Sequence, residues 1–262
     1  MMRELFPGIL VFLLGAVLGS FLNVVRYRLP RHMSVAAGRS RCPRCKKTIA
    51  WYDNVPILSY VLLRGRCRSC RWKIPLIYPV IEAATGLSFL LIWRAFGWPQ
   101  AVAYWVLASL VIACAGTDYD RRMIPDKLTI PGMVLGVLFS ATLLRGDTLG
   151  ASLLRSALGI LVGGGSLLLV GSAYKLVRKV EGMGGGDVKL MAMVGAFLGF
   201  RLALLTIFAG SVLGGIVGLV IMHRTSQGIR ASVPFGVFLS PAAIVCMIWG
   251  NRLIEAYFGL LR

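Results

Sequence analysis

Ten Asp and Glu side chains stand against 29 Lys and Arg in this 262-residue chain, so the positions of the acids are informative. Three cluster in Thr117-Asp118-Tyr119-Asp120-Arg121-Arg122-Met123-Ile124-Pro125-Asp126, where an apolar run ends, and Asp187 closes Gly182-Met183-Gly184-Gly185-Gly186-Asp187 where another begins. A charge in hydrocarbon costs about 2.5–3.5 kcal/mol on insertion scales, so an acid at or within a membrane span is a functional hypothesis in itself. Two carboxyls brought together resist double ionisation: one keeps a proton while the other accepts one. That pair suits peptide hydrolysis. The ionised member takes a proton from water attacking the scissile carbonyl, and the protonated member donates toward the carbonyl oxygen. An acid of the Asp118–Asp126 cluster together with Asp187 could supply such a pair. The glycine run before Asp187 admits an extended substrate backbone and frees the acid from regular helical geometry. The same acids also have a structural use, Asp187 as a helix cap and Asp120 or Asp126 as partners of Arg121, Arg122 or Lys127. The residues alone leave both uses open.

A second constellation is Cys42-Pro43-Arg44-Cys45 and Cys67-Arg68-Ser69-Cys70, two Cys-x-x-Cys pairs separated by 21 residues. The spacing is close to that of a tetrahedral four-thiolate zinc site. Four thiolates close the coordination shell, so a zinc held by Cys42, Cys45, Cys67 and Cys70 is structural and stabilises a loop too small for its own core. Paired thiols without metal are the alternative. Nearby Arg and Lys favour thiolates, and a cytoplasmic loop faces a reducing compartment, which disfavours disulfides. Cys114 and Cys246 lie in apolar segments and read as small buried hydrophobes.

The elements that must position these groups are membrane helices. Hydrophobic side chains make up 57% of the chain and the mean hydropathy is +0.78, far above a soluble domain at about 45–50% apolar. Apolar runs fall at 5–25, 76–97, 101–117, 128–145, 153–175, 188–200, 202–222 and 234–258. The expectation is an all-α polytopic membrane protein of about eight transmembrane helices, with the short 188–200 run either a full or a re-entrant span. Its parts are a first transmembrane helix at 1–25, a small cytoplasmic zinc-binding loop domain at 26–75, and a transmembrane core at 76–262. Segments 26–75, 117–127, 175–189 and 223–233 alternate onto one face and hold 22 of the 29 Lys and Arg residues. The positive-inside rule makes that face cytoplasmic and puts both acid clusters there. It also accounts for the net charge of +19 without nucleic acid. Trp51, Tyr52, Trp72 and Tyr78 read as an interfacial aromatic belt. Gly163–Gly165, Gly210, Gly214, Gly215 and Gly218 read as sites of close helix approach. No internal repeat is evident.

In their order, these stretches resemble the bacterial type IV prepilin peptidases, or leader peptidases, aspartic proteases with a Gly-x-Gly-Asp motif. The likeness runs from Gly19-Ser20-Phe21-Leu22-Asn23 through Pro30, the four-cysteine loop with Trp51 to Pro56, and Tyr78-Pro79 before Glu82. It continues through Asp118 to Asp126, Gly182 to Leu190, and Pro234-Phe235-Gly236. The resemblance implies that Asp118 and Asp187 form the dyad, with Gly184 and Gly186 the motif glycines. It implies a multi-pass enzyme of the bacterial inner membrane whose partners are type IV prepilins or type II secretion pseudopilins. These would be cut at the cytoplasmic face after the glycine that ends a basic leader, and the new N-terminus methylated with S-adenosylmethionine. Val237 stands where the family often carries Pro. The methyl-donor site has no assignment from the residues; the cysteine loop with Asn23, Asp53, Asn54 and Glu82 is the candidate region.

Overall fold

The computed structural model describes residues 2–144, 148–180, 183–224 and 234–260, with side chains from Phe6 onward. Gly182 of the glycine motif lies outside the described residues, as does most of the basic 223–233 segment. Each apolar run forms a helix: α1 (Met2–Arg28), α3 (Ile77–Phe96), α4 (Gln100–Arg121), α5 (Asp126–Ala141), α6 (Leu149–Arg178), α7 (Gly185–Leu198), α8 (Phe200–Arg224) and α9 (Gly236–Leu260), with a short α2 (Leu58–Leu62) inside the loop. No strand is present among the described residues, only two isolated bridges. The helices form two compact units, Met1–Ala101 and Val102–Arg262.

Six of the helices, α1, α3, α4, α6, α8 and α9, are long and apolar enough to cross a membrane. The other two of the about eight expected membrane helices are shorter, the 188–200 run, expected as a full or re-entrant span, among them. With 16 and 14 residues, α5 and α7 extend only about 24 and 21 Å at about 1.5 Å per residue, against about 30 Å of hydrocarbon. Packing explains why α7 can be short. It touches α5, α6, α8 and α9, and every residue from Leu190 to Leu198 is buried. A helix enclosed by protein has no lipid thickness to match.

Glycine sets the closest crossings. A side chain at Gly159 of α6 would collide with the Gly195 backbone of α7, and one at Gly195 with Gly159 in return. Backbone-to-backbone packing of this kind needs residues without Cβ. Gly163, Gly164 and Gly210 also meet neighbouring helices, whereas Gly165, Gly215 and Gly218 face open space. In the first unit, a Cβ on Gly19 of α1 would lie 2.8 Å from Glu82 Cα of α3. That approach sets Asn23 and Glu82 on neighbouring helices beneath the loop.

The loop contains a repeated backbone unit. Cys42 N–H bonds Lys47 O at 3.0 Å, Lys46 N–H bonds Cys42 O at 2.9 Å, and Ile49 N–H bonds Ser40 O at 2.8 Å. Residues 65–74 reproduce the pattern: Cys67 to Trp72 at 2.8 Å, Arg71 to Cys67 at 2.9 Å, and Ile74 to Gly65 at 2.8 Å. The bridges Arg41–Thr48 and Arg66–Lys73 correspond, and Lys46 and Arg71 share a left-handed φ of 60° and 58°. Arg41, Cys42, Cys45 and Ile49 recur in register as Arg66, Cys67, Cys70 and Ile74, and the backbone geometry follows the same register. On the α1 side, the Arg28 guanidinium gathers the strand leading to the first hairpin by donating to the carbonyls of Ser34, Ala37, Gly38 and Arg39.

Candidate active site and four-cysteine site

Asp187 is the third residue of α7, and its N–H bonds Gly184 O at 3.1 Å. Its carboxylate in turn accepts from the Gly184 N–H, the reciprocal half of a capping box. The cap expected as the alternative role is therefore made, and it holds the carboxyl at the helix N-terminus. Asp118 lies in the last turn of α4, where Arg122 takes a left-handed φ of 53° and ends the helix. The Asp118 carboxyl meets the first turn of α9, interacting with the N–H groups of Gly236 and Val237. Its Oδ2 is buried without a protein hydrogen-bond partner.

Both carboxyls are largely buried, Asp118 at 6% and Asp187 at 9% exposure, and they lie close enough for their charges to act on each other. Ile124, in the α4–α5 connection, lies against both Gly186 and Gly236. The ends of α4, α7 and α9 thus converge on one place. Gly236 is the residue whose role the sequence left unstated. A Cβ there would stand 2.9 Å from Asp118 Oδ2 and 2.9 Å from Ile124 Cδ1. The other acids behave differently. Asp126 pairs with Lys189 of α7 at 2.7 Å, rather than with Arg121, Arg122 or Lys127.

In the first unit the four Sγ atoms of Cys42, Cys45, Cys67 and Cys70 lie within 4.8 Å of one another. Cys42 Sγ and Cys70 Sγ, from different hairpins, are 3.8 Å apart. A tetrahedron with Zn–S bonds of about 2.3 Å has edges of about 3.8 Å, while a disulfide needs about 2.05 Å. The donor set therefore fits a thiophilic divalent metal. Donation from the Cys70 N–H draws the Cys67 thiol down to about 7, while the Cys70 thiol beside the other cysteines is pushed up to about 11, so without metal the thiolate is favoured at Cys67 and not at Cys70. Cys114 and Cys246 are buried, as expected. Across the loop, Asp53 accepts a two-point bond from Arg68 at 2.6 and 2.8 Å.

The first unit also forms an open-mouthed cavity of about 730 Å³, lined by α1, α3 and both hairpins. Tyr52, Trp72 and Tyr78, read from sequence as belt residues, line it. So do Asn23, with its Oδ1 buried and unpartnered, and Glu82, whose Oε2 accepts from the Ile57 N–H at 2.8 Å. Ile57 holds a φ of 61°, costly for a β-branched residue. An adenosyl methyl donor fits these features in kind: aromatic faces for a ring and a sulfonium, and an unmet acceptor for an N–H.

Membrane-length helices, a buried carboxyl pair at helix ends and a four-thiol cluster together define a polytopic membrane protein equipped for chemistry. Residues 13–96 match the bacterial peptidase A24 N-terminal domain, and residues 105–219 match the type IV leader peptidase family. The chain belongs to that family. It is 39% identical over 84% of its length to a prepilin leader peptidase/N-methyltransferase of Myxococcus xanthus, a match spanning 64% of that relative. Proteins of the same name from Stutzerimonas stutzeri and Pseudomonas aeruginosa are 35% and 34% identical, over 95% and 94% of this chain and 93% and 91% of theirs. No solved structure matches the chain.

Proposed function

We propose that this protein is a bifunctional enzyme of the bacterial inner membrane that removes the basic leader from type IV prepilins or type II secretion pseudopilins and N-methylates the new N-terminus. The peptidase half is supported by the convergence of the α4, α7 and α9 ends about Ile124, which lies against Gly186 and Gly236, with Asp118 and Asp187 both buried there. In such a pair one proton is shared. The ionised carboxyl draws a proton from the attacking water, and the protonated one donates to the scissile carbonyl oxygen. Cleavage follows the glycine that ends the leader. The Gly184–Gly186 stretch beside Asp187 leaves room for the extended substrate backbone.

The face carrying the loop and the acid clusters is cytoplasmic by the distribution of Lys and Arg. Cys42, Cys45, Cys67 and Cys70 hold a structural zinc, which when bound ties the two hairpins together. S-adenosylmethionine is the co-substrate that supplies the methyl group.

The test is leader cleavage of a prepilin by purified Asp118→Asn and Asp187→Asn variants, followed by intact mass. Asn at 187 still accepts the Gly184 N–H, so the cap survives while the acid is lost. Cleavage should fall by roughly 10²–10⁴-fold or more in each, with zinc content retained. Wild-type rates in either variant would move the chemistry elsewhere.

A further inference from the structure

We infer that Glu82, on the lining of the cavity beneath the two cysteine hairpins, takes the proton from the substrate's α-ammonium during methyl transfer. The inference rests on the proposed bifunctional reading, with this cavity as its methyl-transfer site, and assigns a residue to its second half. At about 730 Å³ the cavity lies within the roughly 300–1,000 Å³ of small-molecule sites. Its lining divides by chemistry. Tyr52, Tyr60, Trp72 and Tyr78 present aromatic surface, which suits an adenine ring and, through cation–π attraction, a sulfonium. Arg39, Arg41, Lys46 and Lys47 are also on the lining. They match the carboxylate of an amino-acid methyl donor and repel a Lys- or Arg-rich leader.

At the helical end the character is opposite. Asn23 is 4% exposed and its amide donates to Tyr78 O at 3.1 Å, yet its Oδ1 has no donor. An unmet buried acceptor costs about 1–3 kcal/mol, so its retention points to a ligand N–H. Beside it on the lining is Glu82, held by the Ile57 N–H. Two acceptors at this end suit an α-ammonium arriving on the apolar helix of a pilin. An α-amine has a pKa of about 7.7–8.0 and is mostly protonated near neutrality. Glu82 therefore has a defined task. The ammonium passes a proton to Glu82, and the freed amine lone pair attacks the donor's methyl carbon. The N–C bond forms as the C–S bond breaks, and the bonding pair stays on sulfur, turning the sulfonium into a neutral thioether. The secondary ammonium product carries the positive charge.

Two variants of the full chain in detergent test this, using S-adenosylmethionine as probe in calorimetry and intact mass of cleaved pilin as the second readout. Glu82→Gln still accepts the Ile57 N–H but takes no proton. It should bind the donor with an affinity near wild type while methylation falls on the order of 10²-fold or more. Ala50→Trp puts bulk into the cavity wall and should raise the donor Kd on the order of tenfold or more. Leader cleavage should continue in both, which shows that the protein is folded. Unchanged donor affinity in Ala50→Trp, or unchanged methylation in Glu82→Gln, overturns the assignment and leaves the bifunctional reading standing. A wild type that cleaves the leader but neither binds donor nor adds a methyl mass overturns both.

Discussion

Asp187 stands where α7 begins and Asp118, at the end of α4, faces the start of α9, which joins the two roles their residue types allow. Asp187 caps α7 through Gly184, and Asp118 meets the first N–H groups of α9. Capping orients the carboxyls instead of competing with their chemistry. Gly236 is the most sensitive neighbour, because any side chain there meets Asp118 Oδ2. Gly236→Ala should lower leader cleavage roughly 10–10²-fold while leaving methylation of an already cleaved pilin intact, as the expected cost of a small displacement of a catalytic group; intact mass on the two substrates separates the effects. In the loop, the Arg68 hydrogen bonds hold the Asp53 carboxyl below the usual carboxylate range against a partial opposing effect of burial. With the folded value below the unfolded one near 3.9, the pair's contribution is complete above that pH and is lost as pH falls through the folded value. Limited proteolysis should therefore find the wild-type loop protected to lower pH than the loop of Arg68→Ala.

Among the elements, α7 carries the most constraint per residue. It is short, buried from Leu190 to Leu198 and pressed backbone to backbone on α6 at Gly195 and Gly159. Neither backbone has a flexible end that can give way. Gly195→Val should cost at least the roughly 1–3 kcal/mol of an overpacked core, visible as a lower Tm in detergent and as less protein in the membrane. The Lys189–Asp126 pair between α7 and α5 is a useful contrast. Both side chains are about half exposed, 42% and 54%, and such pairs contribute about 0–1 kcal/mol. Lys189→Met should leave Tm almost unchanged, and a large drop would show that the pair positions the Asp187 turn.

At the scale of the whole molecule, the proposed dyad lies within Val102–Arg262 and the cysteines and cavity within Met1–Ala101. Removing zinc with a chelator should therefore cost donor binding and methylation more than leader cleavage, with one zinc per chain by elemental analysis at the start. Equal loss of both activities would show that the loop serves the dyad too. Membrane-impermeant labelling of cysteines introduced across 26–75 should succeed only from the cytoplasmic side. Much of this was legible in the sequence because its signals are local. Helix-length apolar runs, the Cys-x-x-Cys spacing and the bias of Lys and Arg are each set by hydrocarbon thickness, metal geometry or charge, so the all-helical class, the thiol cluster and the acids worth testing could all be named. The rest depends on which segments meet. That α7 can be too short for a full span follows from its enclosure by other helices. That Gly236 guards Asp118, that Asp126 chooses Lys189, and that Tyr52, Trp72 and Tyr78 wall a cavity follow from contacts between distant residues. The paired hairpins share a hydrogen-bond pattern, and only the folded backbone decides that.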